Sequence, residues 1–191
     1  MKKVGIMSMQ RIANYGSFLQ AYALKQLIEE QGAQVEFVDY HVGIPVVKDS
    51  EDASNKLIRK IKKGVETFQY NAPLSHKISF IRYKQSFAKK YMPILGIDEK
   101  MNYNPELDCL VIGSDEVFNC VQKNTNVGYS LELFGKDNKA NNVITYAASF
   151  GNTTLEKLRT YGKANEVGEL LGELDAISVR DENSGRIVTE L

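Results

Sequence analysis

Four short clusters of small and polar residues each follow an apolar, strand-like run: Asn14 to Ser17, Gly113 to Asn119, Ser149 to Asn152, and Ser178 to Ser184. Strand-to-helix turns need Gly, Ser, Asp and Asn for caps and tight backbone, so each cluster alone is explained without chemistry. Open α/β sheets, however, hold ligands outside the carboxyl ends of their strands, and four clusters so placed predict one shared crevice. In NYGSFLQA, Gly16 and Ser17 stand at the mouth of a helix, where free backbone N–H groups and the helix dipole favour an anion or a sugar hydroxyl. Asn14 and Gln20 can exchange hydrogen bonds with a ligand there, and Tyr15 can stack on a ring.

In IGSDEVFN, Gly113 permits close backbone approach, Ser114 is a donor, and Asp115 is either a base or a helix cap. Glu116 and Asn119 add polar groups on the same turn, and Ser149 follows the next strand in ITYAASFG. Arg180 in ISVRDENS is the best anion candidate, because a guanidinium grips phosphate or carboxylate through two parallel bonds. Its alternative is an ion pair with Asp181, Glu182 or a neighbouring loop. Neither G-x-G-x-x-G nor a P-loop is present, which gives ordinary dinucleotide or ATP binding no support.

The elements that must position these groups follow from periodicity. Val4 to Met7 reads as a strand, Ser17 to Ile28 has helical spacing with Gly32 as its left-handed stop, and Val35 to Asp39 reads as a second strand. Strand, helix and strand within about 40 residues make the βαβ unit of a parallel sheet. Residues 44–98 form a Lys- and Ser-rich excursion with helical periodicity in NKLIRKIKKGVETF and SHKISFIRYKQSFAKKY, linked near Asn71-Ala72-Pro73. Such an excursion is either a solvated face or a cap over a site. Strands are predicted again at Leu107–Ile112, in Asn142–Gly151 ahead of a small-residue turn, and at Ala176–Val179, with 121–142 loop-like. One helix is predicted over Thr154–Gly172, and a last one capped by Asp181 or Ser178. The fold class is α/β with a mostly parallel sheet flanked by helices.

Twenty-four basic residues balance twenty-four acidic ones in the 191-residue chain, which sets aside wholesale binding to nucleic acid or acidic membranes and makes any anion site local. Cys109 and Cys120 offer no metal spacing, and His41 and His76 are far apart and outside the motifs, so no metal is expected. No run approaches the roughly 20 apolar residues of a membrane span, and the N-terminus lacks a signal-peptide pattern. The expectation is a soluble, cytoplasmic chain.

NYGSFLQAYAL, DCLVIGSDEVFN, ITYAASFG and ISVRDENS, in this order and spacing, resemble the N-terminal half of the polysaccharide pyruvyl transferase family. The resemblance implies a Rossmann-like domain, one half of a two-domain glycosyltransferase-B-like architecture with a cleft between the halves. It implies transfer of a pyruvyl group from phosphoenolpyruvate to a sugar of a cell-surface polysaccharide, forming a ketal and releasing phosphate. Phosphoenolpyruvate is then a donor substrate, and no separate cofactor is expected. Asp115 is the catalytic candidate; Asn14, Tyr15, Gly16, Ser17, Gln20, Gly113, Ser114, Asn119, Ser149 and Arg180 are the substrate-binding candidates. Phe118 stands where the family usually has Trp, and Glu116 where Gln is common. Members are about twice this length, so residues 1–191 read as the N-terminal domain of a truncated chain. The second domain is missing on this reading, and the isolated chain is expected to be inactive. The alternatives are a nucleotide-sugar glycosyltransferase of the same architecture and a non-catalytic domain for carbohydrate binding or assembly.

Overall fold

The computed structural model describes residues 1–47, 73–124 and 126–191. The helix expected in NKLIRKIKKGVETF and the link at Asn71-Ala72 lie outside the described residues. Strand β1 (Lys3–Met7) pairs in parallel with β2 (Gln34–Phe37) on one side and β4 (Cys109–Gly113) on the other, and β6 (Val143–Tyr146) extends the sheet beyond β4. The order is β2-β1-β4-β6, with Val4 opposite both Val35 and Cys109, and Leu110 opposite Val143. A small parallel pair, β3 (Glu106–Leu107) with β5 (Lys139–Ala140), stands beside it. The single strand expected from Leu107 is thus divided at Asp108, whose carboxylate accepts from the Lys3 amide at 2.7 Å.

Burial on both faces explains the continuous apolar runs of β1 and β4, as parallel sheets require. Val4, Ile6 and Val111 face one layer, made by α1 (Tyr15–Glu30) and α2 (Leu74–Leu95), which bury Phe18, Leu24, Phe87, Met92 and Leu95 against them. Met7, Leu110 and Ile112 face the other layer. That layer holds Phe118, Phe134 and Phe150 with α3 (Leu155–Thr160), α4 (Ala164–Gly172) and α5 (Glu182–Glu190). The arrangement is the doubly covered parallel sheet of a Rossmann-like fold.

Three boundaries differ from the periodicity. The single helix expected over 154–172 is two, because Tyr161–Lys163 turns through Gly162 at φ +65°. Residues 176–179 make isolated bridges to Ile144 and Ala148 instead of a strand. Here the Thr145 hydroxyl replaces backbone in the ladder, accepting from the Ser178 amide at 2.9 Å and donating to its carbonyl at 3.0 Å, and Ala147 at φ +47° ends β6. The stretch 121–142 contains a 3₁₀ turn, Leu131–Phe134, that buries Leu133 and Phe134. Among the described residues, no helix is long and apolar enough to cross a membrane.

Candidate functional site

The loops that leave β1, β4 and β6 and the segment 178–181 meet at the carboxyl edge of the sheet. Asp115 is at their centre. Its Oδ2 accepts from Ser17 Oγ at 2.7 Å, its Oδ1 accepts from the Glu116 amide at 2.8 Å, and Arg180 Nη1 lies 4.0 Å from Oδ1. Backbone bonds fix these loops: the Ser149 amide donates to the Asp115 carbonyl at 3.0 Å, Phe118 N–H to Ser149 at 3.0 Å, and Arg180 N–H to Ala148 at 3.1 Å. The four separate turns are therefore joined into one hydrogen-bonded assembly. Side-chain exposure of 16% for Asp115 and 33% for Arg180 leaves both reachable by a ligand while limiting solvent screening of the pair.

No helix starts at 113–119, so Asp115 is not a helix cap; it buttresses its own turn and faces Ser17 and Arg180. Arg180 pairs with this carboxylate, and not with its neighbours Asp181 and Glu182. Asp181 instead caps α5: Oδ1 accepts from the Ser184 amide at 2.8 Å and Oδ2 accepts from the Ser184 and Ser149 hydroxyls at 2.9 and 2.7 Å. Burial works against its ionisation, yet bonds from Ser149 and Ser184 and the charge of Arg180 outweigh it and hold the carboxyl below its ordinary value. Ser178, the other cap candidate, bonds to Thr145.

The mouth of α1 is a correction. Asn14 is the N-cap, with φ −143° and ψ 126°, and its Oδ1 accepts from the Gly16 amide at 2.7 Å and the Ser17 amide at 3.4 Å. The amides expected to be free for an anion are taken by the cap, as four orphan donors at a helix start demand. Tyr15 packs its ring among Tyr83, Phe87 and Tyr91, at centroid separations of 5.3–5.4 Å, and its hydroxyl meets that of Tyr91 at 3.3 Å. That hydrogen bond pushes the Tyr15 hydroxyl up to about 12 and the Tyr91 hydroxyl down. Gln20 lies one turn along α1 from Ser17, and its Oε1 is buried without a hydrogen-bond partner.

Gly113 has φ +126°, and a Cβ there would overlap the Tyr146 carbonyl oxygen, so only glycine lets β4 turn so close to β6. Ser114 is buried beside it. Asn119 is turned inward: Nδ2 donates to Glu116 at 2.9 Å, and Oδ1 accepts from Thr153 Oγ1 at 3.0 Å and the Val121 amide at 3.2 Å. Ser149 accepts from the Gly151 amide and donates to Asp181, which ties the third turn to the fourth. The structure thus brings Ser17, Asp115 and Arg180 together as side chains, while Asn14, Asn119 and Ser149 hold the turns that carry them.

Sequence reading missed a second group at the same edge. Arg11 grips Asp39, Nε to Oδ1 at 2.5 Å and Nη2 to Oδ2 at 2.7 Å, and also donates to the carbonyls of Asp98 and Lys100. The bond to Asp39 raises the guanidinium's affinity for its proton. Gln10 and the Asn102 amide donate to the same carboxylate. Arg11 and Asp39 border a cavity of about 390 Å³ with Met9, Ile12, Val42 and Met101. The sequence signal was the acid at the end of β2; its partner lies 28 residues earlier and becomes a neighbour only when β1 and β2 pair. His41 was also passed over: its ring stacks on Tyr103 at 4.0 Å, and Nδ1 lies 2.8 Å from Glu132.

A family model described as polysaccharide pyruvyl transferase matches residues 14–187, a span that begins at the α1 cap and ends within α5. No curated protein and no solved structure matches the chain.

Proposed function

This chain belongs to the polysaccharide pyruvyl transferase family, and from that premise we propose that it serves the transfer of a pyruvyl group from phosphoenolpyruvate to a saccharide hydroxyl pair, forming a cyclic ketal. The observation that supports it is the Ser17–Asp115–Arg180 arrangement, a carboxylate held by a hydroxyl and faced by a guanidinium at the carboxyl edge of a parallel sheet. The reaction adds a proton to the methylene carbon of the enol phosphate, which leaves C2 with oxocarbenium character. One sugar hydroxyl then forms a C–O bond to C2 and loses its proton; the C–O bond to phosphate breaks, and a second hydroxyl closes the ring and loses its proton in turn. One of the two protons replaces the proton added to carbon, and the other leaves with the phosphate. Asp115 supplies the carboxylate that takes a hydroxyl proton, and Ser17 orients it. Arg180 supplies positive charge for the donor's carboxylate or phosphate.

On the two-domain reading, this chain forms one wall of the cleft and a second domain meets the remaining donor charge. The test is phosphate release from phosphoenolpyruvate by the full-length gene product across a panel of acceptor saccharides, with the 191-residue chain in parallel. Release that requires an acceptor supports the reading. Turnover of a nucleotide sugar without release from phosphoenolpyruvate overturns it in favour of glycosyl transfer, and saccharide binding with neither turnover overturns it in favour of a binding domain.

A further inference from the structure

Among the described residues, the overall charge balance conceals a strongly polarised element. Helix α2 carries Lys77, Arg82, Lys84, Lys89 and Lys90 and no Asp or Glu, whereas the other 169 residues carry nineteen basic groups against twenty-four acidic ones. The two halves of α2 behave differently. Met92, Leu95 and Phe87 are buried against α1 and the sheet, and Tyr83 and Tyr91 pack beside them. From Leu74 to Arg82 no side chain is buried. Those nine residues are about 13 Å of helix. Leu74, Ile78 and Ile81 recur at i, i+4 and i+7 and are 65%, 48% and 39% exposed. Arg82 and Lys89 are exposed along the adjoining line of the same outward side, and Lys90 is exposed next in sequence.

We propose that the outward face of α2 docks this protein on an anionic phospholipid surface. Aliphatic side chains flanked by lysine and arginine are what an interfacial helix requires: the apolar groups enter the boundary of the acyl chains and the cations meet the headgroups. Charge complementarity selects a bilayer with negative lipids. Three aliphatic side chains with one exposed ring, Phe80 at 47%, favour a bilayer over a nucleic acid, whose unpaired bases want a series of aromatic rings to stack on; Tyr83, Phe87 and Tyr91 are turned toward Tyr15 and Phe18 of α1. Docking does not depend on the transferase reading, but it has a geometric consequence for the crevice. Tyr15, which contacts Tyr83 and Tyr91, is two residues from Ser17, so the docked helix stands beside the carboxyl edge of the sheet.

The chain contains no tryptophan, so I78W gives a single reporter on the stripe and Y161W a control on the exposed turn between α3 and α4. Each full chain, with circular dichroism matching the parent, is titrated with phosphatidylcholine vesicles containing about one-third phosphatidylglycerol and with phosphatidylcholine alone. The expected result for I78W is a blue shift of its indole emission with the anionic vesicles and quenching by brominated acyl chains, with no change for Y161W. Adding R82Q and K89Q to I78W is expected to weaken partition roughly twenty-five-fold, at about fivefold per charge. Unshifted emission from I78W overturns the proposal, as does equal partition to neutral vesicles, an equal shift in Y161W, or a shift in I78W obtained with polyuridylate in place of lipid.

Discussion

Asp115 gains its meaning from what it lacks as much as from what it touches. A turn carboxylate commonly serves the first turn of a helix, and here none follows. Its oxygens are instead committed to one hydroxyl and one amide, with a guanidinium at 4.0 Å. Replacing it by Asn keeps the size and an acceptor oxygen but removes the base. We expect Asp115→Asn to lower acceptor-dependent phosphate release at least about a hundredfold, the range for loss of a general base. The thermal midpoint should stay near that of the parent, because the remaining oxygen accepts from the Glu116 amide and the new Nδ2 donates to the Ser17 hydroxyl oxygen, which reverses that bond. A drop in midpoint with release preserved would make Asp115 a strut of its turn.

At the scale of elements, two caps decide where helices begin. Asn14→Ala removes the acceptor for two amides of α1 and is expected to cost about 1 kcal/mol, read from the shift in urea midpoint. Asp181 ties α5 to the loop after β6 through Ser149 and Ser184. Its carboxyl is held below the ordinary 3.8, so its contribution is fully present above that value and is lost as pH falls through the depressed one. Asp181→Asn should therefore flatten the decline in stability below about pH 4, measured as denaturant midpoint against pH. An unchanged acid limb would show that the cap's charge is fully screened. The sequence patterns carried these elements well where apolar spacing was regular, as in β1, α1 and β4. They failed where a side chain replaced backbone, as Thr145 does opposite Ser178, or where one left-handed residue, Gly162, divides a helical pattern. The joined turns at the carboxyl edge were legible as four polar clusters after apolar runs. Its pairings were not: Ser17 and Asp115 are 98 residues apart, and only the β1–β4 register brings them together.

At the scale of the molecule, one aromatic cluster secures the layer beneath the site. Phe118 is fully buried, stacked on Phe134 at 4.7 Å and tilted against Phe150 at 5.1 Å, immediately behind the turn that carries Asp115. A larger ring must press on one of these two neighbours. Phe118→Trp should cost about 1–3 kcal/mol of stability from overpacking, measured by denaturant unfolding, and should lower release by displacing the Asp115 turn. Greater stability would mean that this layer has slack for the bulkier residue.

The strand order also sets a timetable. β1 forms its first ladder with β2, which ends at Phe37, but its second edge must wait for β4, which begins at Cys109. A ribosome adding 5–20 residues per second needs roughly 4–15 s to cover that interval. For that time every newborn molecule presents the unpaired side of an apolar strand, Val4 to Met7, to whatever else is nearby. Slow codons between the two strands would lengthen this exposure, and the yield of soluble protein should fall with them.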